Sequence, residues 1–385
     1  MKIGILTGGG DVPGLNPAIR AVTIRAIREG HEVIGLHRGW AGLVDIKRDD
    51  NADNSNNYME LSEPIVNKAS RTGGTFLHTS HTNPAKMEPT EIPQHLEDKY
   101  NDEINDLTPE VLKNLDYLNI DYLVPMGGDR TLSYAVRLYK EGVNIVAIPE
   151  TMDNDVPGTD YCIGYSTCVT RTIEMTHSLR TSAGSHERFL VIEVFGRNAG
   201  FTALMPAVAG AANRCVIPEY EFEIEKLARL LSEDRNNNPS RYSVLLVSEG
   251  ASFKSEDEAR EEYNVGTIGK LVGEKVKELS PKYNNKNQPV NVTFQKLGYL
   301  TRCGAPDAID SEVPTVFGNI AMDLILKDIS GRLVNLKNGR YGDTPIDVVT
   351  SAEKTVNIDK FYNTERLRPN YKDFQGKPFF VIAGR

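Results

Sequence analysis

A chain of 385 residues is longer than one hydrophobic core usually serves, so two domains are expected. Its 53 acidic residues outnumber 44 basic ones, and the net charge of −9 argues against nonspecific nucleic-acid binding while allowing local basic pockets. Four cysteines without C-x-x-C spacing (Cys162, Cys168, Cys215, Cys303) fit structural thiols rather than a disulfide frame or zinc site. No apolar run is long enough to span a bilayer, and a first strand starting at residue 2 leaves no room for a signal peptide, so a cytoplasmic protein without membrane partners is expected.

In chain order, Ile3–Thr7 reads as a buried strand and ends in Gly8-Gly9-Gly10-Asp11-Val12-Pro13-Gly14. Asn16 then suits a helix N-cap and Pro17 a first helical residue, with Gly30 as the stop. Strand, glycine-rich turn and helix together form a cradle for phosphate, although a tight turn alone would look the same. A second strand is expected at Glu32–Leu36 and a surface loop at Asp49–Asn57. Arg71-Thr72-Gly73-Gly74-Thr75 and His78–Pro84 supply hydroxyls, glycines and an arginine for a second phosphate-facing loop. Residues 84–108 read as an insertion before a helix at Pro109–Leu118.

Two apolar runs then deliver acidic turns. Tyr122–Met126 leads into Gly127-Gly128-Asp129-Arg130-Thr131, and Asn144–Ile148 into Pro149-Glu150-Thr151-Met152-Asp153-Asn154-Asp155. Residues past strand ends in an α/β sheet face the ligand crevice, so Asp129, Asp153 and Asp155 are expected to converge. Carboxylates beside a glycine pair suit phosphoryl transfer, holding Mg²⁺ and taking a proton from a hydroxyl. Gly, Asn and Asp also dominate ordinary turns, so either stretch alone reads equally well as a turn. From Phe189 the alternation restarts: strand to Val194, Phe195-Gly196-Arg197-Asn198, helix Gly200–Ala212, strand Cys215–Ile217 and helix Ile224–Leu231. Strand Val244–Val247 delivers Ser248-Glu249-Gly250, helices are expected at Thr267–Leu279 and Thr315–Lys327, and a Tyr/Arg loop spans Gly298–Gly304. The pattern predicts an α/β fold with a second parallel sheet.

The motifs at 8–16, 127–129, 151–155, 195–197 and 298–302 resemble, in order and spacing, the phosphofructokinase family. That resemblance implies two Rossmann-like three-layer domains with the active site in the cleft between them. Residues 1–164 plus 301–350 would form the donor side, and 165–300 plus 351–385 the sugar side. It implies Mg²⁺-dependent phosphorylation of the 1-hydroxyl of fructose 6-phosphate by pyrophosphate or ATP in glycolysis, by a homodimer or homotetramer. By the same resemblance Asp153 is the base, Asp129 and Asp155 flank Mg²⁺, and Thr151 positions substrate and phosphate. Gly9, Gly10, Arg71, Gly128, Arg130, Thr131 and Glu150 fall on the donor side. Phe195, Gly196, Arg197, Glu249, Tyr299 and Arg302 fall on the sugar, with Arg197 also catalytic and Arg188 reaching in from a neighbouring subunit. The chain departs from the family pattern in three places. Arg130 and Glu150 replace the glycine pair of ATP users and the aspartate–lysine pair of pyrophosphate users, and are expected to form a salt bridge. His81 stands where arginine is usual, and Thr293 where a basic residue is usual. A different sugar or sugar phosphate, or a catalytically weak sugar-phosphate-binding homologue, is the alternative reading.

Overall fold

The computed structural model describes residues 1–254, 256, 259, 263, 266–284 and 287–376. Thirteen strands are described: β1 (Lys2–Gly8), β2 (Glu32–Leu36), β3 (Tyr58–Glu60), β4 (Tyr122–Gly127), β5 (Val146–Pro149), β6 (Phe189–Val194), β7 (Arg214–Val216), β8 (Ser243–Ser248), β9 (Val292–Lys296), β10 (Arg332–Lys337), β11 (Arg340–Pro345), β12 (Tyr362–Asn363) and β13 (Arg368–Pro369). The chain divides into two compact units. The first comprises Met1–Thr151, Val156–Gly164 and Cys303–Glu353; the second takes Met152–Asp155, Tyr165–Arg302 and the chain from Lys354 onward. The last nine residues of the tail assigned to the sugar side, 377–385, lie outside the described residues.

The first unit is built on a sheet of order β11-β10-β5-β4-β1-β2-β3. Its five central strands run parallel, and β3 and β11 close the edges antiparallel. β4 and β5 are buried along their whole length, as strands covered on both faces require. Leu6, Leu36, Trp40, Leu123, Leu132 and Ala147 belong to one core cluster that fixes the Asp129–Lys140 helix against the sheet.

The second unit holds a fully parallel sheet of order β7-β8-β6-β9. Its tail returns along the β7 edge: the Cys215 N–H donates to the Leu367 carbonyl at 3.0 Å, and the Tyr362 hydroxyl donates to the Cys215 carbonyl at 2.7 Å. The buried Arg214 guanidinium joins Asp234 to the Arg366 carbonyl, so the tail completes that edge.

Local detail differs from expectation in three places. Asn16 is not an N-cap: Gly14, at φ 114°, turns the chain so that the helix starts at Leu15. The Asn16 amide instead donates to the Thr72 carbonyl and hydroxyl and accepts from the Phe76 N–H, tying the glycine-rich turn to the second loop. The helix expected from Thr315 begins at Ile309, where Asp307 accepts the Asp310 N–H, and carries Pro314 in its second turn. A helix of 21 residues, Tyr165–Ser185, occupies a serine- and threonine-rich stretch that carried no helical expectation.

Candidate active site

The candidate residues fall into two groups, one in each unit. In the first unit the winding reverses at β1, which pairs with β2 on one side and β4 on the other. Ligands of parallel sheets bind beyond the strand C-termini at such a reversal. Gly8, the end of β1, is in register with Gly127, the end of β4, which in turn pairs with Pro149 at the end of β5. Glycine is required here by close approach. A Cβ on Gly8 would lie 2.8 Å from Thr131 Oγ1, and one on Gly127 would lie 2.5 Å from the Gly8 carbonyl oxygen. Gly9 takes φ +88°, a left-handed conformation, and its N–H donates to the Ser80 carbonyl at 2.8 Å.

A cavity of about 370 Å³ opens at this point. Gly9 and the loop residues His81, Thr82 and Asn83 line it together with Asp129, Arg130, Thr131 and Ser133 of the helix. Asp129, Arg130 and Ser133 come from the first turns of the Asp129–Lys140 helix, whose N-terminal N–H groups favour an anion. Every lining side chain is polar, which suits phosphate. Gly10 is half-buried in the same turn. Gly128 leaves no more than van der Waals room beside the Glu150 carbonyl oxygen and the Thr151 Cβ.

The expected pairing of Arg130 with Glu150 is not seen among the described residues, and Arg71 sits apart from this cavity. No ion pair joins Arg130 to Glu150 among the described residues: Arg130 points outward from the helix, whereas Glu150 is 2% exposed. Glu150 follows β5 and is held by its backbone, its N–H donating to the Gly127 carbonyl at 2.9 Å and its residue bridging to Ile163. Arg71 does not line the 370 Å³ cavity. It lines a separate space of about 730 Å³ with Arg20, Asn67, Ser70, Ser311 and Thr315.

In the second unit the motifs again sit at strand C-termini, those of β6, β8 and β9. The Phe195-Gly196-Arg197 turn is stitched to the Ser248-Glu249-Gly250 turn by Glu249 N–H to the Val194 carbonyl (3.0 Å) and Gly250 N–H to the Gly196 carbonyl (3.1 Å). Side chains cannot enter that seam: a Cβ on Gly250 would lie 1.8 Å from the Arg197 carbonyl oxygen. The stitching brings Arg197 Nε within 3.8 Å of Glu249 Oε1. Arg197 itself is 72% exposed, available to an anionic ligand, while Glu249 is mostly covered.

Asp153 lies against this pair, with its Oδ1 shielded from solvent. Its carboxyl is pushed up to about 7 from an ordinary 3.8. Desolvation is the main cause, followed by the charges of Asp155 and Glu249; the Arg197 backbone N–H and guanidinium pull the other way. Asn154 between the two aspartates is fully buried at φ 56°, a strained left-handed conformation that asparagine tolerates better than most residues.

Arg302 is placed by aromatic rings. Its guanidinium carbon stands 4.4 Å from the Tyr299 ring centre and 5.6 Å from that of Phe195, and the two rings meet edge to face at 6.4 Å. Nη1 also lies 4.0 Å from Met152 Sδ, a contact that no sequence motif announced. Tyr299 remains 71% exposed. At the other end of β6, Arg188 is half-buried, and its Nε is shielded without a hydrogen-bond partner among the described residues. Thr293 Oγ1 is likewise buried without a partner among the described residues, and Lys296, the next basic residue, is engaged with Glu193 at 2.7 Å.

Sequence reasoning did not single out Ser133 or Met152. Ser133 lies one helical turn after Arg130, a spacing that would have placed it on the same face. Among the described residues no three His, Cys, Asp or Glu side chains cluster as a ready-made metal cage. No helix among them is long and apolar enough to cross a membrane.

Comparison with known proteins bears on this arrangement. Residues 2–325 match the family model described as Phosphofructokinase. A pyrophosphate–fructose 6-phosphate 1-phosphotransferase of Dictyoglomus thermophilum is 34% identical over 94% of this chain and 97% of its own length. An ATP-dependent 6-phosphofructokinase of Chloroflexus aurantiacus is also 34% identical, over 90% of each chain. The crystal structure of a pyrophosphate-dependent phosphofructokinase from Nitrosospira multiformis shares the fold, with a TM-score of 0.75 at 17% identity over 99% of this chain and 96% of that one. Strand-end glycine turns in parallel α/β units, together with these relatives, define the protein as a phosphotransferase. The chain belongs to the phosphofructokinase family.

Proposed function

We propose that this phosphotransferase moves a phosphoryl group from pyrophosphate or ATP to the 1-hydroxyl of fructose 6-phosphate, giving fructose 1,6-bisphosphate. The observation that carries the reading is Asp153, a shielded carboxylate with its pKa near 7 beside Asp155, Glu249 and Arg197. A general base works best when its pKa lies near the operating pH. Asp153 takes the proton of the 1-hydroxyl as the oxygen forms its bond to phosphorus, and the bond from phosphorus to the leaving phosphate or diphosphate breaks. Arg302, Tyr299 and Arg197 would hold the sugar phosphate, and Glu249 would accept its hydroxyls. The all-polar cavity of Gly9, Asp129, Arg130 and Thr131 would take the donor's phosphates. The names of the two 34%-identical relatives support both donor and acceptor for this chain.

Mg²⁺ fits the donor chemistry of Asp129 and Asp155. It usually takes one or two carboxylates and fills its shell with phosphate oxygens and water, so no three-residue cage is needed. When bound it would neutralise charge on the transferred group. In this reading the enzyme serves glycolysis in the cytoplasm as a homodimer or homotetramer, with Arg188 reaching a neighbouring subunit's sugar.

Thr293 and the engaged Lys296 favour a second reading, in which the acceptor is another sugar or sugar phosphate. One experiment separates the two. Purified protein is given pyrophosphate or ATP with a panel of sugars and sugar phosphates, with and without Mg²⁺, and products are read by ³¹P NMR. Fastest turnover on fructose 6-phosphate supports the first reading, and preference for another acceptor supports the second. No transfer from either donor to any acceptor rejects both.

A further inference from the structure

Asp310 takes no part in the chemistry above, yet it is a fully buried carboxylate in the first turn of the Ile309–Leu326 helix. Its Oδ1 accepts from the hydroxyl of Tyr161, itself fully buried, and from the Gly164 backbone N–H at 2.8 Å. A buried carboxylate is costly to place, and its bonds to donors are stronger than neutral ones.

What it holds is the strand-like segment through Ile163. The Ile163 N–H donates to the Pro149 carbonyl and its carbonyl accepts the Thr151 N–H, each at 3.1 Å. On its other side the segment packs on the glycine-rich turn without room for a methyl group. A Cβ on Gly14 would lie 2.6 Å from Ile163 Cγ2 and 3.0 Å from the Asp310 carbonyl oxygen, and one on Gly164 would lie 2.4 Å from Val12 Cβ. The turn after β1, the end of β5 with Thr151, and the helix N-terminus therefore meet around one carboxylate, all within the first unit.

We propose that Asp310, acting through Tyr161 and Gly164, is a positioning residue for phosphoryl transfer. It clamps the Ile163 segment and so sets where Thr151 and the Val12–Gly14 turn stand. The inference rests on the functional reading above. Reacting groups must be held about 3–3.5 Å apart, and a 1 Å misplacement costs on the order of a hundredfold in rate. Loosening the clamp should therefore lower kcat and leave KM nearly unchanged, because the side chains that grip the substrates are intact.

The test compares Tyr161→Phe, Asp310→Asn and the double variant with wild type in the full-length enzyme, using whichever donor and sugar phosphate the wild type turns over. Rates are normalised to the folded fraction. Each single variant is expected to lose about tenfold in kcat with KM within about threefold. The double variant should be no slower than Asp310→Asn, because Tyr161 acts through that carboxylate. Unchanged kcat per folded molecule, with only the melting temperature lowered, overturns the proposal; so does a double variant whose loss is the product of the singles. If Asp310→Asn does not fold, Tyr161→Phe decides by the same kcat criterion. A wild type inactive with every donor and sugar overturns the functional reading and this inference together, whereas an active wild type with an unaffected Tyr161→Phe overturns the inference alone.

Discussion

At the scale of single residues, the environment of Asp153 makes predictions of opposite sign for activity and stability. Asp153→Asn is expected to lose roughly two to four powers of ten in kcat while sugar-phosphate affinity holds; near-normal turnover would refute its role as base. Wild-type kcat/KM should rise with pH along a limb centred near 7, and added Mg²⁺, if held at Asp155 as proposed, should pull that limb to lower pH. For stability, the folded-state value lies above the unfolded one. The contribution of Asp153 is thus fully present below about pH 4 and lost as pH rises through about 7. Asp153→Asn has no charge to bury, so at pH 8 it should unfold later than wild type by on the order of 2 kcal/mol, a gain that shrinks towards pH 4. Thermal melts across that range check the sign. Arg302, braced between Tyr299 and Phe195, would grip a phosphate through charge-assisted bonds worth about 1.5–3 kcal/mol. Arg302→Ala should raise KM for a sugar phosphate about tenfold or more, and an equal rise for the unphosphorylated sugar would show that Arg302 does not read that phosphate.

At the scale of elements, all the motifs lie at the carboxyl ends of parallel strands, and glycines there let neighbouring turns touch. Gly196 has φ 111°, and a Cβ on it would lie 2.7 Å from the Ala199 carbonyl oxygen and 2.8 Å from Thr202 Oγ1. Gly196→Ala should cost about 2 kcal/mol in urea unfolding and part the Arg197–Glu249 pair; an unshifted midpoint would show that the turn relaxes freely. On the first sheet, Arg130 occupies cavity space at the start of its helix, and among the described residues no salt bridge holds it. If it excludes the body of a nucleotide, Arg130→Gly should raise the ATP-to-pyrophosphate ratio of kcat/KM, by about tenfold for a loss of roughly 1.4 kcal/mol in discrimination. A wild type that uses ATP alone would make Arg130 a ligand of nucleotide phosphate instead.

At the scale of the whole molecule, the tail is part of the second unit rather than an appendage. It caps the β7 edge, accepts from the buried Arg214 and, through the Val356 N–H, donates to Glu219, which also accepts from the Gly200 N–H. Burial raises the Glu219 carboxyl above its usual range despite those donors. A chain truncated after Glu353 should expose an unpaired parallel edge and the Arg214–Asp234 pair, and aggregate during expression. A monodisperse truncated protein with an unchanged melting temperature would contradict this.

The sequence by itself determined the parallel α/β fold and the family, because strand-end glycine and aspartate motifs obey short-range geometry that survives in a linear reading. Phe195-Gly196-Arg197 and Gly298–Arg302 could be recognised that way. It could not determine which side chains share an environment. Glu150 and Arg130 follow neighbouring strand ends, but one is turned into the protein and the other into solvent, and only packing decides that. The Tyr165–Ser185 helix hid behind its serines and threonines, since the structure satisfies Thr172 and Thr176 by bonds to carbonyls one turn back. Asn16 was claimed by a loop 56 residues away instead of by its own helix end. Asp153 is the plainest case: its motif, Asp155 included, was legible, but a pKa near 7 also needs burial and the Glu249 and Arg197 that two other stretches of chain bring beside it.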